Sequence, residues 1–324
     1  MSRSPSRFVL GIALVLPTLC FAADPAWPSR PVTIITPGDA GGVLDIRARW
    51  LAERLAPLLG QSVIVDNRPG SGGSVGTQAG AKSPADGHTL TLIHLGTMAI
   101  NPHLYARLGY DPLADFIPIT RISGGPQLLV VHPSVKAGSL AELISLAKAQ
   151  PGQLNFGSAG IGTPGHLAGE LFKRSAALDV VHVPYKGGAQ AVSALLAGQI
   201  TFMAENPSVL LQHVASGRLR ALAFTGPTRL KSLPEVPTTN EAGSPELELV
   251  AWTGLAVPAG TPKPVVDRIY REVRDLMTTP KASEWLELIG SYPRTDSPET
   301  FARVIRDDHA KWGKVIRDAG IRLE

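Results

Sequence analysis

The sequence predicts an α/β protein with two lobes, each built on a mainly parallel β-sheet flanked by helices. Short runs of apolar and β-branched residues alternate with segments of helical periodicity, which is the strand, helix, strand order of parallel sheets. Two glycine-rich loops, far apart in the chain, each lie between a predicted strand and a predicted helix. Open α/β sheets bind ligands at such loops, so the pair indicates two lobes that face one cleft. A chain of 324 residues, 44% of them hydrophobic, is long enough for about two such units.

The first 22 residues are predicted to be a secretory signal peptide that is removed from the mature protein. Two arginines precede the apolar run 8–16, and small residues at Cys20 and Ala22 fit a cut after Ala22. The apolar run is shorter than the ~20 residues that a membrane span needs. A lipoprotein acylated at Cys20 is the alternative, but a bulky leucine precedes this cysteine. Because Cys20 is the only cysteine, disulfides and cysteine-based metal sites are excluded from the mature chain.

Nine strands are predicted, each as a short run of apolar or β-branched residues. A turn or a helical segment separates most of them from the next strand. They cover residues 32–36, 62–66, 89–94, 117–122, 128–132, 154–158, 180–184, 200–204 and 219–225.

Helices are predicted between most of these strands. Ser139 and Glu142 have the spacing of a capping box at a helix start. Segments 189–196 and 207–215 directly follow predicted strands. After the first strand, five apolar residues recur at helical spacing: Leu44, Ala48, Leu51, Leu55 and Leu58.

The pattern from Pro262 to the end of the chain is helical. The last helix is predicted to begin at Ser297 and Pro298, an N-cap residue followed by a first-turn proline. One face of this helix carries Phe301, Val304, Ile305, Trp312 and Ile316.

Three loops between a strand and a helix are candidate anion sites. The first contains Gly41 and Gly42, the second covers 157–163, and the third covers 184–188 and adds the cation Lys186. Such a loop presents unpaired backbone N–H groups and the positive end of a helix dipole, and glycine allows an anion to approach the backbone closely. The alternative is that these glycines only form tight turns.

Three side chains near these loops are candidates for ligand contact, and a fourth, His182, is not. His166 lies just inside the helix after the second loop, where it either donates to a ligand or packs the first turn. Lys186 is either a counter-charge to an anion or a solvated lysine. Glu205, at the end of strand 200–204, is either solvated or faces the cleft and accepts from a ligand or a water molecule. His182 lies in an apolar strand, where a packed core histidine is expected.

Catalytic and metal-binding motifs are weak. Residues 160–165 match a dinucleotide fingerprint, but the acid at a suitable distance, Asp179, precedes a strand instead of ending one. Residues 72–76 match a nucleophile elbow, so an exported hydrolase that uses Ser74 is the alternative function, although Arg68, Pro69 and Gly70 lie between the motif and its strand. The eight histidines are scattered, so no metal site is predicted. With 31 basic and 27 acidic residues, the chain lacks the basic excess of a nucleic-acid reader.

Eleven short segments, in order along residues 27–323, resemble one known family. They are Trp27 to Pro31; Gly41 and Gly42 with Asp45; Asp66 to Gly73; Asp86 and Gly87; Asn101 and Pro102; Asp115 and Phe116; Gly157 to Gly160 with His166 and Leu167; His182 to Gly187; Leu219 to Ala223; Pro234 to Thr238; and Pro258 to Pro262. With these segments the chain resembles the substrate-binding receptors of tripartite tricarboxylate transporters, also called Bug-type extracytoplasmic solute receptors.

The resemblance implies a two-lobed periplasmic-binding-protein fold of the flytrap kind, type II-like, that closes over a small organic acid. Such a receptor is expected in the periplasm as a monomer, with no enzymatic activity, cofactor or nucleic-acid partner. It delivers the solute to membrane transporter subunits or to a sensor protein. The first lobe is expected to comprise residues 23–125 and 251–324, and the second lobe residues 126–250. The connections are expected near 124–129 and 222–253.

The resemblance also implies which residues contact the solute, mainly through backbone amides, hydroxyls and ordered water. The first lobe is expected to contribute Gly41, Gly42, Asp45 and Thr97. The second is expected to contribute Ser158, Gly162, Thr163, His166, Lys186 and Gly187, and Glu205 is a further candidate.

Three departures from the family pattern bear on the solute. Gly38 and Asp39 replace an aromatic and a small residue, Leu44 replaces a small hydroxyl residue, and Ala204 with Glu205 replaces an aromatic residue followed by aspartate. Asp39 adds negative charge near an anion loop, and Leu44 removes a hydrogen-bond donor. A carboxylate that also bears an amine or amide, or an amide, with Glu205 as its partner, is therefore the alternative to a plain di- or tricarboxylate.

Overall fold

Ten strands and ten α-helices occur in the part of the chain that the computed structural model describes, residues 27–318 and 320. The strands are β1 (Val32–Thr36), β2 (Val63–Asn67), β3 (Thr89–His94), β4 (Phe116–Pro126), β5 (Leu128–Val131), β6 (Asn155–Ser158), β7 (Val181–Pro184), β8 (Phe202–Glu205), β9 (Arg220–Phe224) and β10 (Val250–Pro258). The helices are α1 (Val43–Leu59), α2 (Ser74–Ala81), α3 (Asn101–Leu104), α4 (Leu140–Ala149), α5 (Pro164–Ser175), α6 (Gly188–Leu196), α7 (Leu211–Ala215), α8 (Lys263–Met277), α9 (Pro280–Leu288) and α10 (Pro298–Asp318).

The strands form two five-stranded sheets with the same arrangement. The first sheet has the order β2-β1-β3-β10-β4, and the second has the order β7-β6-β8-β5-β9. In each sheet the fourth strand is antiparallel to both neighbours, and the other four run in one direction. Helices α1 and α8 contact the first sheet, and α5 and α6 contact the second. These contacts confirm the predicted α/β fold with two mainly parallel sheets.

The chain passes between the two sheets at two places, which we call the crossings. Only Gln127 separates β4 of the first sheet from β5 of the second, and residues 225–249 lead from β9 back to β10. Thr225 donates its N–H to the carbonyl of Gln127 at 2.9 Å, and Leu249 donates its N–H to the carbonyl of Thr225 at 2.8 Å. The two crossings therefore lie side by side.

The core is built from residues that the helical and strand patterns place on inner faces. Phe301, Ile305, Trp312 and Ile316 of α10 are buried, as the predicted apolar face requires, and Val304 is partly buried against them. The indole of Trp252 in β10 donates to Asp308 of α10 at 2.7 Å. The C-terminal helix is thus packed and bonded against the first sheet.

All nine predicted strands occur, most with ends within two residues of the prediction, and β4 continues four residues further to Pro126. The sequence did not predict β10, nor the π-helical turn Gly96–Ile100 that leads into α3. The predicted helix 207–215 is a 3₁₀ turn, Pro207–Val209, followed by α7. The predicted signal peptide lies outside the described residues.

None of the helices formed by the described residues combines the length and apolar character that crossing a bilayer would require.

Candidate functional site

A cavity of about 620 Å³ lies where the loops of the two sheets face each other, and we call it the outer cavity. One wall comes from the loops after β1 and β2, together with His94. The other wall consists of Ala159, Thr163, Lys186 and Gly187, from the loops after β6 and β7. The strands that lead into these loops are parallel within each sheet, so their carboxyl ends open on the same cleft.

Gly42 is the N-cap of α1 and lines the outer cavity. No side chain caps this helix start from the N-cap position. Gly41 has φ +76°, a conformation that favours glycine, and no other atom lies near its open face. The first turn of α1 therefore presents N–H groups and the positive end of its dipole toward the cleft.

Asp45 organises this loop from inside. Its Oδ2 accepts the N–H of Gly41 at 2.8 Å and the Nε–H of Arg49 at 2.9 Å, and the side chain is 3% exposed. Burial alone would raise the pKa of Asp45, but the hydrogen bonds from Arg49, Gly41 and Asn67 outweigh it and hold the pKa below the usual range. The carboxylate is thus ionised and is bonded through Oδ2, while its buried Oδ1 has no partner among the described residues.

The glycine loop after β6 is closed by two hydroxyl groups. Thr163 is the N-cap of α5; its Oγ1 accepts the N–H of His166 at 3.4 Å and donates to Gly160 O at 2.7 Å. Ser158 is buried; its Oγ accepts the N–H of Gly160 at 3.2 Å and lies 2.7 Å from His182 Nε2. Thr163 lines the outer cavity, whereas Ser158 shapes the loop from behind.

His166 lies in the interior beside the second sheet. Its ring stacks on that of His182 with centroids 4.2 Å apart, and its Nδ1 accepts the N–H of Gly162 at 3.2 Å. Burial, with added repulsion from His182 and Lys173, lowers the pKa of His166 to about 3. The ring is therefore neutral and supports the loop, and it lines neither the outer cavity nor the pocket beneath it.

Lys186 and Gly187 line the outer cavity directly. Lys186 is exposed, and its ammonium forms no ion pair with any residue the structure describes. Gly187 is the N-cap of α6, again without a side-chain cap. This wall thus combines one cation with a second uncapped helix start.

Thr97 and Gly162 do not line the outer cavity, and their polar groups bond other parts of the protein. The hydroxyl of Thr97 donates to His94 O at 3.2 Å, and its carbonyl accepts from the hydroxyl of Tyr110 at 2.6 Å. Gly162 has φ +81°, and a methyl group added at its Cα would lie 2.9 Å from Leu104 Cδ1. The loop of the second sheet therefore already contacts α3 beside the first sheet.

A smaller pocket of about 180 Å³ continues beneath the outer cavity toward the crossings, and we call it the inner pocket. Its polar lining includes Arg47, His94, Gln127 and Glu205, and its apolar lining includes Leu44 and Trp252. Of these polar residues, only Glu205 was a candidate from the sequence.

Glu205 ends β8 and accepts the N–H of Asn206 with Oε1 at 2.8 Å. A methyl group added at Gly188, the first residue of α6, would lie 3.4 Å from Glu205 Oε2, so the carboxylate lies beside that helix start. Burial raises the pKa of Glu205, and the bond from Asn206 only partly opposes it. No ion pair joins this carboxylate to another described residue.

His94 lines both the outer cavity and the inner pocket. Its Nδ1 accepts the N–H of Gly96 at 3.1 Å, so the neutral ring carries its proton on Nε2. Burial, together with the nearby charge of Arg47, lowers the pKa of His94 to about 4. His94 is therefore a neutral hydrogen-bond donor at the junction of the two spaces, and the strand pattern alone did not single it out.

Arg47 was also missed, although the sequence carried a signal. It follows Leu44 by three residues and precedes Leu51 by four, which places it on the apolar face of α1. The side chain is 7% exposed and donates to Thr253 Oγ1 and to Ser291 Oγ, both at 2.8 Å. An arginine on the buried face of a helix is unusual unless it has a specific partner.

Ser74, the nucleophile of the alternative hydrolase interpretation, is 6% exposed at the start of α2. Its Oγ accepts from Asn101 Nδ2 at 2.9 Å, and no histidine or carboxylate bonds it among the described residues. This environment does not activate a serine, so it does not favour hydrolysis. Within the same described residues, no cluster of three or more potential metal ligands occurs.

Comparison with known proteins gives one consistent family. Residues 47–321 match the model of the tripartite tricarboxylate transporter family receptor. The chain is 37% identical over 313 residues to the "UPF0065 protein in tcbD-tcbE intergenic region" of Pseudomonas sp. strain P51, covering 96% of this chain and 93% of that protein. It is 34% identical over 323 residues to protein BugT of Bordetella pertussis, covering 98% and 99% of the two chains.

Solved structures agree. The structure of R. palustris Rpa4515 with adipate has a TM-score of 0.85 and 36% identity, covering 92% of this chain and all of that one. The periplasmic binding protein BugD has a TM-score of 0.81 and 32% identity over 92% of this chain and all of its own. MatC of Rhodopseudomonas palustris with bound malate has a TM-score of 0.80 and 30% identity over 90% of this chain and all of its own.

Proposed function

Because the chain belongs to the tripartite tricarboxylate transporter receptor family, whose members are periplasmic solute-binding proteins, we propose that it captures a small carboxylate-bearing solute in the cleft between its two sheets. Its relatives Rpa4515 and MatC were solved with adipate and malate. We propose the same class of ligand, a small organic acid, for this chain.

One observation carries this proposal: the starts of α1, α5 and α6 meet at the same cavity from opposite sheets. Gly42, Thr163 and Gly187 are their N-cap residues, and all three line the outer cavity together with Lys186. Each helix start contributes unpaired N–H groups and about half a positive charge. A carboxylate between these helix starts is stabilised by backbone dipoles from both sheets. A bound carboxylate therefore favours the closed cleft, in which both sheets contact it.

The predicted site residues divide into two roles in this proposal. Gly42, Thr163, Lys186, Gly187 and Glu205 contact the solute, because they line the outer cavity or the inner pocket. The others hold the loops in shape through the hydrogen bonds and close contacts described above: Gly41, Asp45, Thr97, Ser158, Gly162 and His166.

The wider organisation is proposed as the sequence suggested it. The signal peptide is cut after Ala22, and the mature receptor acts as a monomer. One lobe comprises residues 23–125 and 251–324, the other 126–250, and they close by bending at the crossings. The loaded receptor delivers its solute to the membrane subunits of a tripartite transporter or to a sensor protein.

Calorimetry and thermal unfolding of the processed chain test the proposal. A panel of mono-, di- and tricarboxylates with four to six carbons should contain a ligand that raises Tm in proportion to the logarithm of its concentration above Kd. Lys186→Gln, which removes the cation of the outer cavity, should weaken this ligand. Absence of binding by every acid in the panel, or turnover of an ester that Ser74→Ala abolishes, would overturn the proposal.

A further inference from the structure

The inner pocket is lined by an arginine and a glutamate that the protein does not pair with each other. Arg47 of α1, beside the first sheet, and Glu205 of β8, in the second sheet, both line this space of about 180 Å³. They are farther apart than an ion pair, and neither has a partner of opposite charge among the described residues. Arg47 is 7% exposed, and a buried charge without an acidic partner is costly, so this arrangement requires an explanation.

The guanidinium of Arg47 is held in place but not neutralised. Two hydroxyl oxygens, Thr253 Oγ1 and Ser291 Oγ, accept one N–H each, and its Nε is buried without a partner among the described residues. An arginine has five N–H donors, so more of them remain for a ligand. Hydroxyl groups orient a guanidinium without cancelling its charge, which leaves it ready to bind a carboxylate in the two-pronged manner that arginine favours.

Gln127 and His94 lie around the same space. Gln127 is 2% exposed, and its side-chain amide makes no hydrogen bond to any residue the structure describes, although it lines the inner pocket. His94 presents its Nε2–H at the junction with the outer cavity. Because no described residue bonds this amide, its donor and acceptor groups are available to a ligand in the pocket. These groups therefore form a built polar site.

Glu205, from the second sheet, provides a hydrogen-bond acceptor that suits a donor on the ligand. Its Oε1 takes the N–H of Asn206, and its Oε2 makes no hydrogen bond with the described residues. The carboxylate lies beside the helix start at Gly188, where it reduces the attraction for a plain anion. A ligand with a positive N–H group would bond Oε2 and favour the ionised carboxylate, opposing the burial that raises the pKa of Glu205, whereas a plain dicarboxylate offers Oε2 no such donor.

We propose that the inner pocket binds the ammonium–carboxylate head of an amino acid, with the carboxylate on Arg47 and the ammonium on Glu205. The deduction rests on the proposed function, since the ligand's second acid group then lies in the outer cavity near Lys186 and the helix starts. The ligand class is an amino-dicarboxylate. Its head bridges a residue of α1 and a residue of β8, so it joins the two sheets and favours the closed cleft.

Pairs of ligands that differ only in the amino group test this assignment. Calorimetry on the processed chain would compare succinate with aspartate, glutarate with glutamate, and adipate with 2-aminoadipate. At the best-fitting length, the amino-dicarboxylate should bind at least about tenfold tighter than its plain counterpart. Glu205→Gln should abolish this difference, and Arg47→Gln should weaken both members of the pair at least about tenfold.

Matched controls separate charge in the pocket from charge elsewhere. Arg54→Gln changes an arginine of the same helix whose guanidinium lies over the Trp50 ring, and Glu235→Gln changes an exposed carboxylate; neither should alter the ratio within a pair. If Arg47→Gln does not fold, Arg47→Lys should lose about tenfold, because lysine keeps the charge but not the fork.

The possible failures are distinct. Plain dicarboxylates that bind as tightly as their amino counterparts, or tighter, would overturn the inner-pocket assignment while leaving the proposed function intact. Absence of binding by both series would overturn the proposed function itself.

Discussion

The backbone N–H of Gln127 donates to the hydroxyl of Thr225 at 2.8 Å, and that hydroxyl donates in turn to the carbonyl of Leu249 at 2.6 Å. One side chain thus joins both crossings between the two sheets. The amide of Gln127 also lines the inner pocket, so the point about which the sheets would bend is in contact with the ligand space. The proposed function therefore implies that bending and binding are coupled through adjacent residues.

Loss of the Thr225 hydroxyl should destabilise the protein. Thr225→Val keeps the shape of the side chain but leaves the buried N–H of Gln127 and the carbonyl of Leu249 without a partner, a cost of about 1–3 kcal/mol. Urea denaturation of the ligand-free protein would measure it. Thr225→Ser retains the hydroxyl and should recover most of the loss; equal destabilisation by serine and valine would mean that packing, and not the hydrogen bonds, explains the effect.

The Asp45 carboxylate should contribute stability that depends on pH. Its folded pKa lies below the usual range, because Arg49, Gly41 and Asn67 outweigh burial, so folding favours the ionised form. This contribution is complete above the unfolded pKa of about 3.9 and is lost as the pH falls through the lower folded value. The difference in unfolding free energy between wild type and Asp45→Asn should thus be constant from pH 6 to 8 and shrink toward pH 3. A difference that grows on acidification would contradict this sign.

Strands could be predicted where their apolar residues contrast with polar neighbours. Strand β10 was missed because its sequence shows no such contrast. Residues 252–258 of β10 are all buried, so no alternation marks it as a strand, and Gly254 weakens its strand propensity. A methyl group at Gly254 would lie 2.4 Å from Phe301 Cζ, so the glycine is required by a helix nearly fifty residues later in the chain. A local pattern cannot contain that requirement.

The candidate site likewise combines features that the local sequence predicts with features that only the tertiary fold creates. The glycine loops at Gly42 and Gly187 were found because glycines between a predicted strand and a predicted helix form a local sequence pattern. The polar groups of the inner pocket come from α1, β3, the first crossing and β8, which only the fold brings together. The sequence shows Arg47 as a charge on an apolar helix face, but only the three-dimensional structure shows that no carboxylate among the described residues pairs with it.

Arg47 should reduce the stability of the ligand-free protein while being required for binding. Because its buried guanidinium lacks an acidic partner among the described residues, replacement by Met removes an uncompensated charge and retains much of the volume. The Tm of ligand-free Arg47→Met should equal or exceed that of wild type, and saturating ligand should raise it less. A Tm several degrees below wild type would show that the bonds to Thr253 and Ser291 outweigh the cost of burial.

His94 should act as a donor whose charge does not change in the physiological range. Burial and the charge of Arg47 lower its pKa to about 4, so the ring is neutral from pH 5.5 to 8 and donates only through Nε2. Replacement by Phe should weaken ligand binding about tenfold, the effect of a lost buried hydrogen bond, by the same factor at every pH in that range. Calorimetry at pH 5.5, 6.5 and 7.5 on wild type and His94→Phe would measure both quantities. A wild-type affinity that rises on acidification, with a slope that His94→Phe removes, would mean that His94 binds the ligand as a cation.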